Sequence, residues 1–260
     1  MVKLIVFGAA GRMGSTILEL ADRDKSFKIA GALESKNHPS IGRKILDGRV
    51  LIGSDQTSLR DSGQVAIDFT TPSATLAHLE ILFDWKKAAA VIGTTGFSDK
   101  EKSWIKDFTR KMPIVMSPNM SRGVNLMFRL ARDSAGKLSD FDVEIVEAHH
   151  NQKKDATSGT AMELAGEIAR ERGLSEKTDF VYGRRGSTGV RAGKEIGIHA
   201  LRAGDIVGEH MVIFAAGGER LEIKHVATSR EAFAEGALHA AKWVHGKKPG
   251  LYSMQDVLGG

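Results

Sequence analysis

The residues best suited to chemistry are concentrated in one segment, residues 147–161, with the sequence Glu-Ala-His-His-Asn-Gln-Lys-Lys-Asp-Ala-Thr-Ser-Gly-Thr-Ala. Within it, His149 and His150 can exchange a proton near neutral pH, which few other side chains can do. Lys153 adds a positive charge, and a charge-assisted hydrogen bond is worth about 1.5–3 kcal/mol. Together these residue types indicate a site that binds an anion and delivers a proton.

The end of this segment is expected to lie at the start of a helix. Apolar residues occupy the i, i+3, i+4, i+7 and i+8 positions of an amphipathic helix, beginning with Ala161. A helix N-terminus presents unpaired N–H groups, so Ser158, Gly159 and Thr160 are candidate ligands for a substrate carboxylate. A purely structural alternative exists, because Thr160 and Glu163 have capping-box spacing and the two histidines could simply end a strand.

A second candidate site is a glycine-rich turn at residues 8–14, with the sequence Gly-Ala-Ala-Gly-Arg-Met-Gly, between an apolar run and an apolar-striped stretch. Glycines there let the backbone approach a pyrophosphate group, and the helix that follows offers N–H groups to it. We therefore predict a dinucleotide cofactor, although the same pattern also suits a simple strand-to-helix turn. The residues predicted to contact the cofactor are Gly8, Ala9, Ala10, Gly11, Arg12 and Met13.

An acidic residue supports this prediction. Glu34 ends the second apolar run, about 20 residues after the glycines, where a carboxylate accepts hydrogen bonds from ribose hydroxyls. Its charge would repel the 2′-phosphate of NADPH, and Lys36 would partly offset that repulsion. NADH is therefore the favoured cofactor, with NADPH tolerated. The alternative interpretation is a solvated Glu–Lys pair in a loop.

Strands and helices alternate through the first 120 residues. The apolar runs are residues 4–7, 27–33, 65–69, 89–92 and 114–116. Short, continuously apolar runs suit a parallel sheet that is covered on both faces. Helix starts are indicated by Thr71-Pro72 and by the capping-box spacing of Ser98 and Glu101. This alternation predicts right-handed βαβ units.

The pattern changes after about residue 120, where we expect one helix followed by several meandering strands. The predicted strands are residues 142–147, 180–182, 196–201, 211–215 and 221–226, with a hairpin at 216–219 and a terminal helix over 229–245. We therefore predict an α/β protein, with an N-terminal Rossmann-type doubly wound parallel sheet and a C-terminal α+β domain with an open mixed sheet. The predicted domains are residues 1–120, with 230–260 packing back onto them, and residues 121–229.

Composition excludes several classes of function. Without cysteine the chain has no disulfides, thiolate nucleophiles or cysteine-ligated metals, so redox chemistry needs a bound cofactor. The 37 Lys+Arg against 32 Asp+Glu give a net charge of +5, and the absence of long basic blocks favours a small anionic ligand over nucleic acid. No apolar run suits a membrane span or a signal peptide, so we expect a cytoplasmic protein with no membrane partner. Phosphate-loop, G-x-S-x-G and H-E-x-x-H motifs are absent, and no metal site is predicted.

Three further motifs complete the pattern. They are Gly93-Thr-Thr-Gly96, Ser117-Pro-Asn-Met-Ser121 and Arg202-Ala-Gly-Asp-Ile-Val-Gly-Glu-His210. With these and residues 8–14 and 147–161, the chain resembles, nearly end to end, the dihydrodipicolinate reductases of bacterial and plant lysine biosynthesis. The resemblance implies NAD(P)H-dependent reduction of 4-hydroxy-tetrahydrodipicolinate, via dihydrodipicolinate, to tetrahydrodipicolinate. It also implies a homotetramer built on the sheets of the second domain, which would bind this dicarboxylate substrate while the first domain binds the dinucleotide.

The resemblance also implies roles for individual residues. His149 would be the general acid/base, and Lys153 would be a proton donor that also binds a carboxylate. The substrate carboxylates would further meet His150, Gly159 and Thr160, next to Ser158. The nicotinamide end of the cofactor would meet Gly93, Thr94, Thr95, Ser117, Pro118, Asn119 and Met120.

The chain departs from the family pattern at several positions. Many relatives carry Arg, His and Pro where this chain has Asn151, Gln152 and Thr157, and Arg where it has Ser35. Losing these arginines weakens the attraction for a dianionic substrate and for a 2′-phosphate, although Lys154 adds a nearby charge. Two other functions stay open: another two-domain NAD(P) oxidoreductase of amino or sugar acids, and a catalytically inactive dinucleotide-sensing protein. A weaker nucleic-acid alternative requires salt-sensitive binding.

Overall fold

The computed structural model describes residues 1–60, 62–85 and 88–259. Contacts between Cα atoms divide the chain into two compact units. The first contains Met1–Arg122 together with the segment that begins at Arg230, and the second is Gly123–Ser229. Each unit buries apolar side chains of its own, in two clusters in the first unit and one in the second.

Strands and helices follow one another along the whole chain. The strands are β1 (Val2–Phe7), β2 (Phe27–Leu33), β3 (Lys44–Ile45), β4 (Val50–Gly53), β5 (Val65–Asp68), β6 (Ala89–Ile92), β7 (Pro113–Met116), β8 (Asp142–His149), β9 (Phe180–Tyr182), β10 (Ile196–Arg202), β11 (Gly208–Ala216), β12 (Glu219–Ala227) and β13 (Gly250–Tyr252). The helices are α1 (Arg12–Arg23), α2 (Pro72–Phe83), α3 (Asp99–Phe108), α4 (Arg122–Lys137), α5 (Gly159–Arg172), α6 (Glu176–Asp179), α7 (Glu231–Val244) and α8 (Met254–Val257), with a 3₁₀ turn at Thr57–Leu59.

The first unit is built on a sheet with strand order β13-β7-β6-β5-β1-β2-β4-β3. Its described pairs are parallel except β3 with β4, which is antiparallel. Because alternate residues of a strand point to opposite faces, β1 contributes side chains to two hydrophobic cores, one on each face of the sheet. Leu4 and Val6 join α1, α7 and α8, whereas Ile5 and Phe7 join α2 and α3. The predicted doubly wound parallel sheet is confirmed.

Local sequence explains where most of these elements begin. Thr71 caps α2 by accepting from Ala74 N–H, with Pro72 at the first helical position, and Ser98 and Glu101 form the capping box of α3. The terminal helix is α7, which packs against α1 and the sheet. Strands β3, β4 and β13 were not predicted.

The second unit contains a mixed sheet with strand order β12-β11-β8-β10-β9. Strand β8 runs parallel to β10 and antiparallel to β11, so the predicted open mixed sheet is confirmed. One face carries Val143, Ile145, Val212 and Phe214, which pack against α4 and α5. The expectation of one helix followed by a meander was wrong, because α4 precedes β8 and a helical crossover places β9 and β10 parallel to it.

No helix among the described residues is long and apolar enough to cross a membrane.

Candidate active site and dinucleotide cradle

The predicted chemistry-bearing residues of the second unit meet at one end of its sheet. In β8, Glu147 and His149 are two residues apart and therefore point to the same face. The parallel register places Arg202 of β10 opposite His149, and the antiparallel register places His210 of β11 opposite Glu147. Four titratable side chains from three strands thus converge on the face that also carries the start of α5.

The carboxylate of Glu147 is the centre of this cluster and has no exposure to solvent. Its Oε1 accepts from the Ser158 backbone N–H at 3.0 Å, and its Oε2 lies 2.6 Å from His149 Nδ1. Arg202 donates to both oxygens at 2.8 Å. Although burial acts to raise the pKa of Glu147, the hydrogen bonds from Arg202, His149 and Ser158 lower it on balance, so the group is ionised.

The ionised carboxylate defines how His149 can act. A carboxylate only accepts hydrogen bonds, so Nδ1 of His149 must donate and its other nitrogen, Nε2, is the one that exchanges a proton. A Cβ at Gly208 would lie 3.2 Å from Nε2, which is tighter than ordinary contact, so the glycine leaves room at this atom. Burial lowers the pKa of His149 below its ordinary value of 6.5, against the opposing effect of Glu147.

Ser158 lies behind the site and caps α5. Its hydroxyl accepts from the Ala161 N–H at 3.2 Å and forms a 3.0 Å hydrogen bond with His210 Nε2, whose direction depends on the tautomer of that histidine. The capping residue is therefore Ser158. The spacing of Thr160 and Glu163 had pointed to Thr160 instead. With its N–H bound to Glu147 and only 2% of its surface exposed, Ser158 lacks the accessibility expected of a substrate ligand.

Other predicted substrate ligands lie around the same turn. Lys153 Nζ is 2.9 Å from Asp155 Oδ1, and the Lys153 N–H donates to the carbonyl of His150 at 3.1 Å. Gly159 is exposed at the first position of α5, and no described atom lies within 4 Å of the place a Cβ would take. Thr160 follows it in the first helical turn. The structure thus brings His149, Lys153 and the positive end of a helix into one turn of chain.

The glycine turn of the first unit has a geometry that only small residues permit. Gly8 has a φ of +69°, and a Cβ at Gly14 would lie 2.1 Å from the Gly8 carbonyl oxygen. Gly11 precedes α1 without a side-chain cap, so Arg12 and Met13 begin a helix whose first N–H groups can face an anion. These features fit the pyrophosphate of a dinucleotide.

Glu34 joins the glycine turn to the end of β2. Its Oε2 accepts from the Ala10 N–H at 3.1 Å, and its Oε1 accepts from the Ser35 N–H at 3.0 Å. It lines a cavity of about 400 Å³ together with Gly8, His38 and His78. Ala9 is buried under the turn. The carboxylate therefore faces a space of the kind that holds an adenosine group.

The residues predicted to meet the nicotinamide follow β6 and β7 at the carboxyl ends of the parallel strands. Thr94 is 4% exposed, and its hydroxyl accepts from Thr70 N–H at 3.0 Å and Thr75 Oγ1 at 2.9 Å. This side chain therefore holds neighbouring strand ends together. Three more of the residues predicted to meet the nicotinamide are also buried or hydrogen-bonded within their own loops. They are Gly93, beside the Phe69 ring; Ser117, whose Oγ donates to Asn119 O at 2.8 Å; and Met120, 1% exposed.

Two predicted contacts remain on the surface of this edge. Thr95 and Pro118 are exposed, and Asn119 is half-buried with its Oδ1 accepting from the Ser121 N–H at 2.9 Å.

Among residues 1–60, 62–85 and 88–259, no group of three or more His, Cys, Asp or Glu side chains is arranged to hold a metal ion.

Sequence reasoning gave no role to Glu147, Arg202 or His210, although all three lie within the family motifs. Glu147 could have been identified from the sequence, because it lies two residues from His149 on a predicted strand and therefore points to the same face. Arg202 and His210 could be found only from the pairing register, because each lies more than 50 residues from its partner in the cluster.

Comparisons with known proteins agree over the full chain. Residues 2–120 match the family model described as dihydrodipicolinate reductase, N-terminus, and residues 123–258 match its C-terminus. The chain is 48% identical to the 4-hydroxy-tetrahydrodipicolinate reductase of Syntrophus aciditrophicus over 266 residues, covering 100% of this chain and 99% of that protein. It is also 48% identical to the reductase of that name from Aquifex aeolicus over 271 residues, with 99% of both chains covered.

The fold also matches that of a solved structure. It is a dipicolinate-bound dihydrodipicolinate reductase from Paenisporosarcina sp. TG-14, with a TM-score of 0.79, 24% identity and 98% of each chain covered.

The buried His210 makes the second unit sensitive to acid. Burial lowers the pKa of His210 from 6.5 to about 4, so the unfolded chain binds a proton between these values that the folded chain does not. The stability contributed by neutral His210 in the folded chain is therefore lost progressively as pH falls from about 6.5 toward 4.

We expect urea unfolding of the second unit, followed from pH 7 to pH 4, to show a shallower loss of stability in His210→Gln than in the unsubstituted protein. Substitution of the exposed His245 is the control for removing a histidine. Parallel pH slopes for His210→Gln and the unsubstituted protein would contradict the assignment.

Proposed function

The chain belongs to the dihydrodipicolinate reductase family, and from this membership we propose how it works as an NAD(P)H-dependent reductase of 4-hydroxy-tetrahydrodipicolinate in diaminopimelate and lysine biosynthesis. It reduces this compound, via dihydrodipicolinate, to tetrahydrodipicolinate. The observation that carries the proposed mechanism is the pairing of His149 with the buried Glu147, beside Lys153 and the start of α5.

The substrate is a dicarboxylate, and the turn between β8 and α5 is the part of the second unit that suits it. Lys153 supplies a mobile positive charge, because Asp155, its partner here, is 61% exposed and can be exchanged for a substrate carboxylate. The positive end of the α5 dipole lies at Gly159 and Thr160. We assign the substrate carboxylates to these groups and to His150, and give Ser158 the supporting role of the cap.

Hydride addition leaves negative charge on the substrate, which must be neutralised by a proton. His149 can deliver that proton from Nε2, because Nδ1 is held by Glu147. Burial lowers the pKa of His149 in the free protein, and the charge of a bound dianion acts in the opposite direction. Substrate binding therefore favours the protonated acid at the moment when it is needed.

The bound nicotinamide supplies the hydride, and the first unit is the part that suits a dinucleotide. Residues 8–13 would hold the pyrophosphate, and Glu34 would accept from the adenosine ribose. Thr95, Pro118 and Asn119 are the accessible candidates for the nicotinamide end. We assign dinucleotide binding to residues 1–120 with 230–260, and substrate binding to residues 121–229.

We propose NADH as the preferred form of the cofactor. Glu34 is already held in place by the N–H groups of Ala10 and Ser35, so it cannot easily turn away from a 2′-phosphate. Ser35 provides no positive charge of its own. The negative charge of Glu34 then favours a free 2′-hydroxyl over a phosphate.

We also propose a homotetramer formed through the outer face of the second unit's sheet. The residues of β8 and β11 that point away from α4 and α5 include Val146, Met211 and Ile213. Leu201 and Val226, on the neighbouring strands, are about half exposed. An apolar strip of this kind on a sheet face is typical of a subunit interface.

The activity is tested by loss of NADH absorbance when 4-hydroxy-tetrahydrodipicolinate is generated in the cuvette. We expect turnover that depends on both compounds. Cofactor binding of normal affinity without turnover would instead support a dinucleotide-sensing protein.

Lys153→Ala should lower kcat about 100-fold or more, because it removes the proposed proton donor that also holds a substrate carboxylate in place, while the NADH Kd stays within about twofold. Lys154→Ala is the matched control, since this neighbouring lysine is exposed and is expected to have a much smaller effect. Loss of turnover and of NADH binding to the same extent in Lys153→Ala would mean that the residue is structural.

Glu34→Gln should move the ratio of the NADH and NADPH Kd values toward NADPH by about tenfold, because one charge-assisted hydrogen bond is lost and one repulsion is removed. Glu80→Gln removes a carboxylate from the exposed face of α2 and serves as the control. Kd values measured by NADH and NADPH fluorescence titration decide the result, and an unchanged ratio would place the ribose elsewhere.

A further inference from the structure

A fully buried carboxylate that binds an arginine and a histidine is a costly arrangement. Burying charges loses solvation free energy, and well-packed apolar residues are often at least as stabilising as a buried ion pair. Glu147 nevertheless has no solvent exposure, and each of its oxygens has two hydrogen-bond partners. We therefore expect Glu147 to have a role other than stabilising the fold.

We propose that Glu147, held by Arg202, is the positioning residue of the site: it fixes the proton of neutral His149 on Nδ1 and fixes the start of α5 through Ser158. The inference rests on the proposed function, in which Nε2 of His149 delivers the proton and the start of α5 binds a substrate carboxylate. Glu147 itself does not touch the substrate.

The contacts support both parts of this role. The 2.6 Å hydrogen bond from Nδ1 to Oε2 selects one of the two neutral forms of the imidazole and sets the plane of the ring. The 3.0 Å hydrogen bond from Ser158 N–H to Oε1 places the capping residue of α5, and therefore the N–H groups that follow it. One rigid carboxylate thus sets the distance between the proton donor and the anion-binding helix end.

Arg202 has a distinct task within this arrangement. Its two donations to Glu147 offset the charge of the carboxylate, and a further hydrogen bond, from Nη2 to the Asp155 carbonyl at 2.7 Å, ties down the turn that carries Lys153. Without Arg202, the negative charge of Glu147 would act on His149 alone and would favour its protonated form. Glu147 and Arg202 therefore affect the proton affinity of His149 in opposite directions.

The outer face of the same strand provides a matched control. Glu144 of β8 accepts from Arg184 at 2.9 Å and from Arg191 at 3.1 Å, and it pairs with His199 Nε2 at 2.7 Å. This cluster has the same chemistry as the one around Glu147 but contacts neither His149 nor α5. Glu144→Gln therefore measures the cost of breaking a carboxylate–arginine–histidine cluster without affecting the acid.

The first experiment uses the unsubstituted protein, labelled with ¹⁵N at its nine histidines. Solid-state ¹⁵N NMR above the His149 titration distinguishes a proton on Nδ1 from a proton on Nε2, and His149→Gln identifies the signal. We expect the proton on Nδ1. A proton on Nε2 would overturn the proposal, and because no substrate is present, this result is independent of whether the protein turns over the proposed substrate.

The second experiment compares three properties of each variant: kcat, the NADH Kd, and the pH at which His149 is half protonated, called here its midpoint. Glu147→Gln should lower kcat about 10- to 100-fold, because a His149 that is no longer oriented loses part of its general acid catalysis, with the NADH Kd within about twofold. Its His149 midpoint should move to lower pH, and that of Arg202→Met should move to higher pH. Glu144→Gln should keep the pH midpoint of His149 protonation of the unsubstituted protein, and its kcat is compared at the same oligomeric state because Glu144 lies on the proposed subunit interface.

Folding of each variant is checked by circular dichroism and thermal unfolding. A folded Glu147→Gln with normal kcat, or shifts of the same sign in Glu147→Gln and Arg202→Met, would contradict a positioning role. If Glu147→Gln does not fold, Arg202→Met and the tautomer of the unsubstituted protein still decide the question.

Discussion

A carboxylate buried without access to water must find its hydrogen-bond donors inside the protein, and Glu147 finds them on three separate parts of the second unit. His149 belongs to the same strand, Arg202 to the parallel neighbour β10, and Ser158 to the start of α5. The register of the sheet and the position of the helix are therefore constrained by the same group. This requirement explains why His149, the proposed proton donor, and the start of α5, the proposed anion site, lie together.

A different constraint governs the first unit, where the backbone of the glycine turn is proposed to come close to a dinucleotide. A Cβ at Gly14 would lie 2.1 Å from the Gly8 carbonyl oxygen, so the turn and the helix can pack this closely only without a side chain. Behind it, the hydroxyls of Thr70, Thr75 and Thr94 bond to one another and to Asp68. The ends of the parallel strands are thus held rigidly, which leaves backbone groups and a few exposed side chains to meet a cofactor.

Much of the fold could be predicted because its signals are local. The apolar runs of β1, β2, β5, β6 and β7, and the caps at Thr71 and Ser98, need only neighbouring residues to be recognised. The roles of Arg202 and His210 could not, because they depend on strand pairing between residues more than 50 positions apart. The choice of Ser158 over Thr160 as the cap also depends on tertiary contacts, since Glu147 and His210 hold Ser158 in place.

The proposed mechanism requires that His149 deliver a proton from Nε2 to a dicarboxylate held at the start of α5. A crystal structure with NAD⁺ and a pyridine dicarboxylate would reveal both features at once. We expect one carboxylate on the first turn of α5, Lys153 Nζ moved from Asp155 to the ligand, and Nε2 of His149 facing the ring with Nδ1 still on Glu147. A dicarboxylate bound away from this turn, or an imidazole turned so that Nε2 bonds to Glu147, would contradict the mechanism.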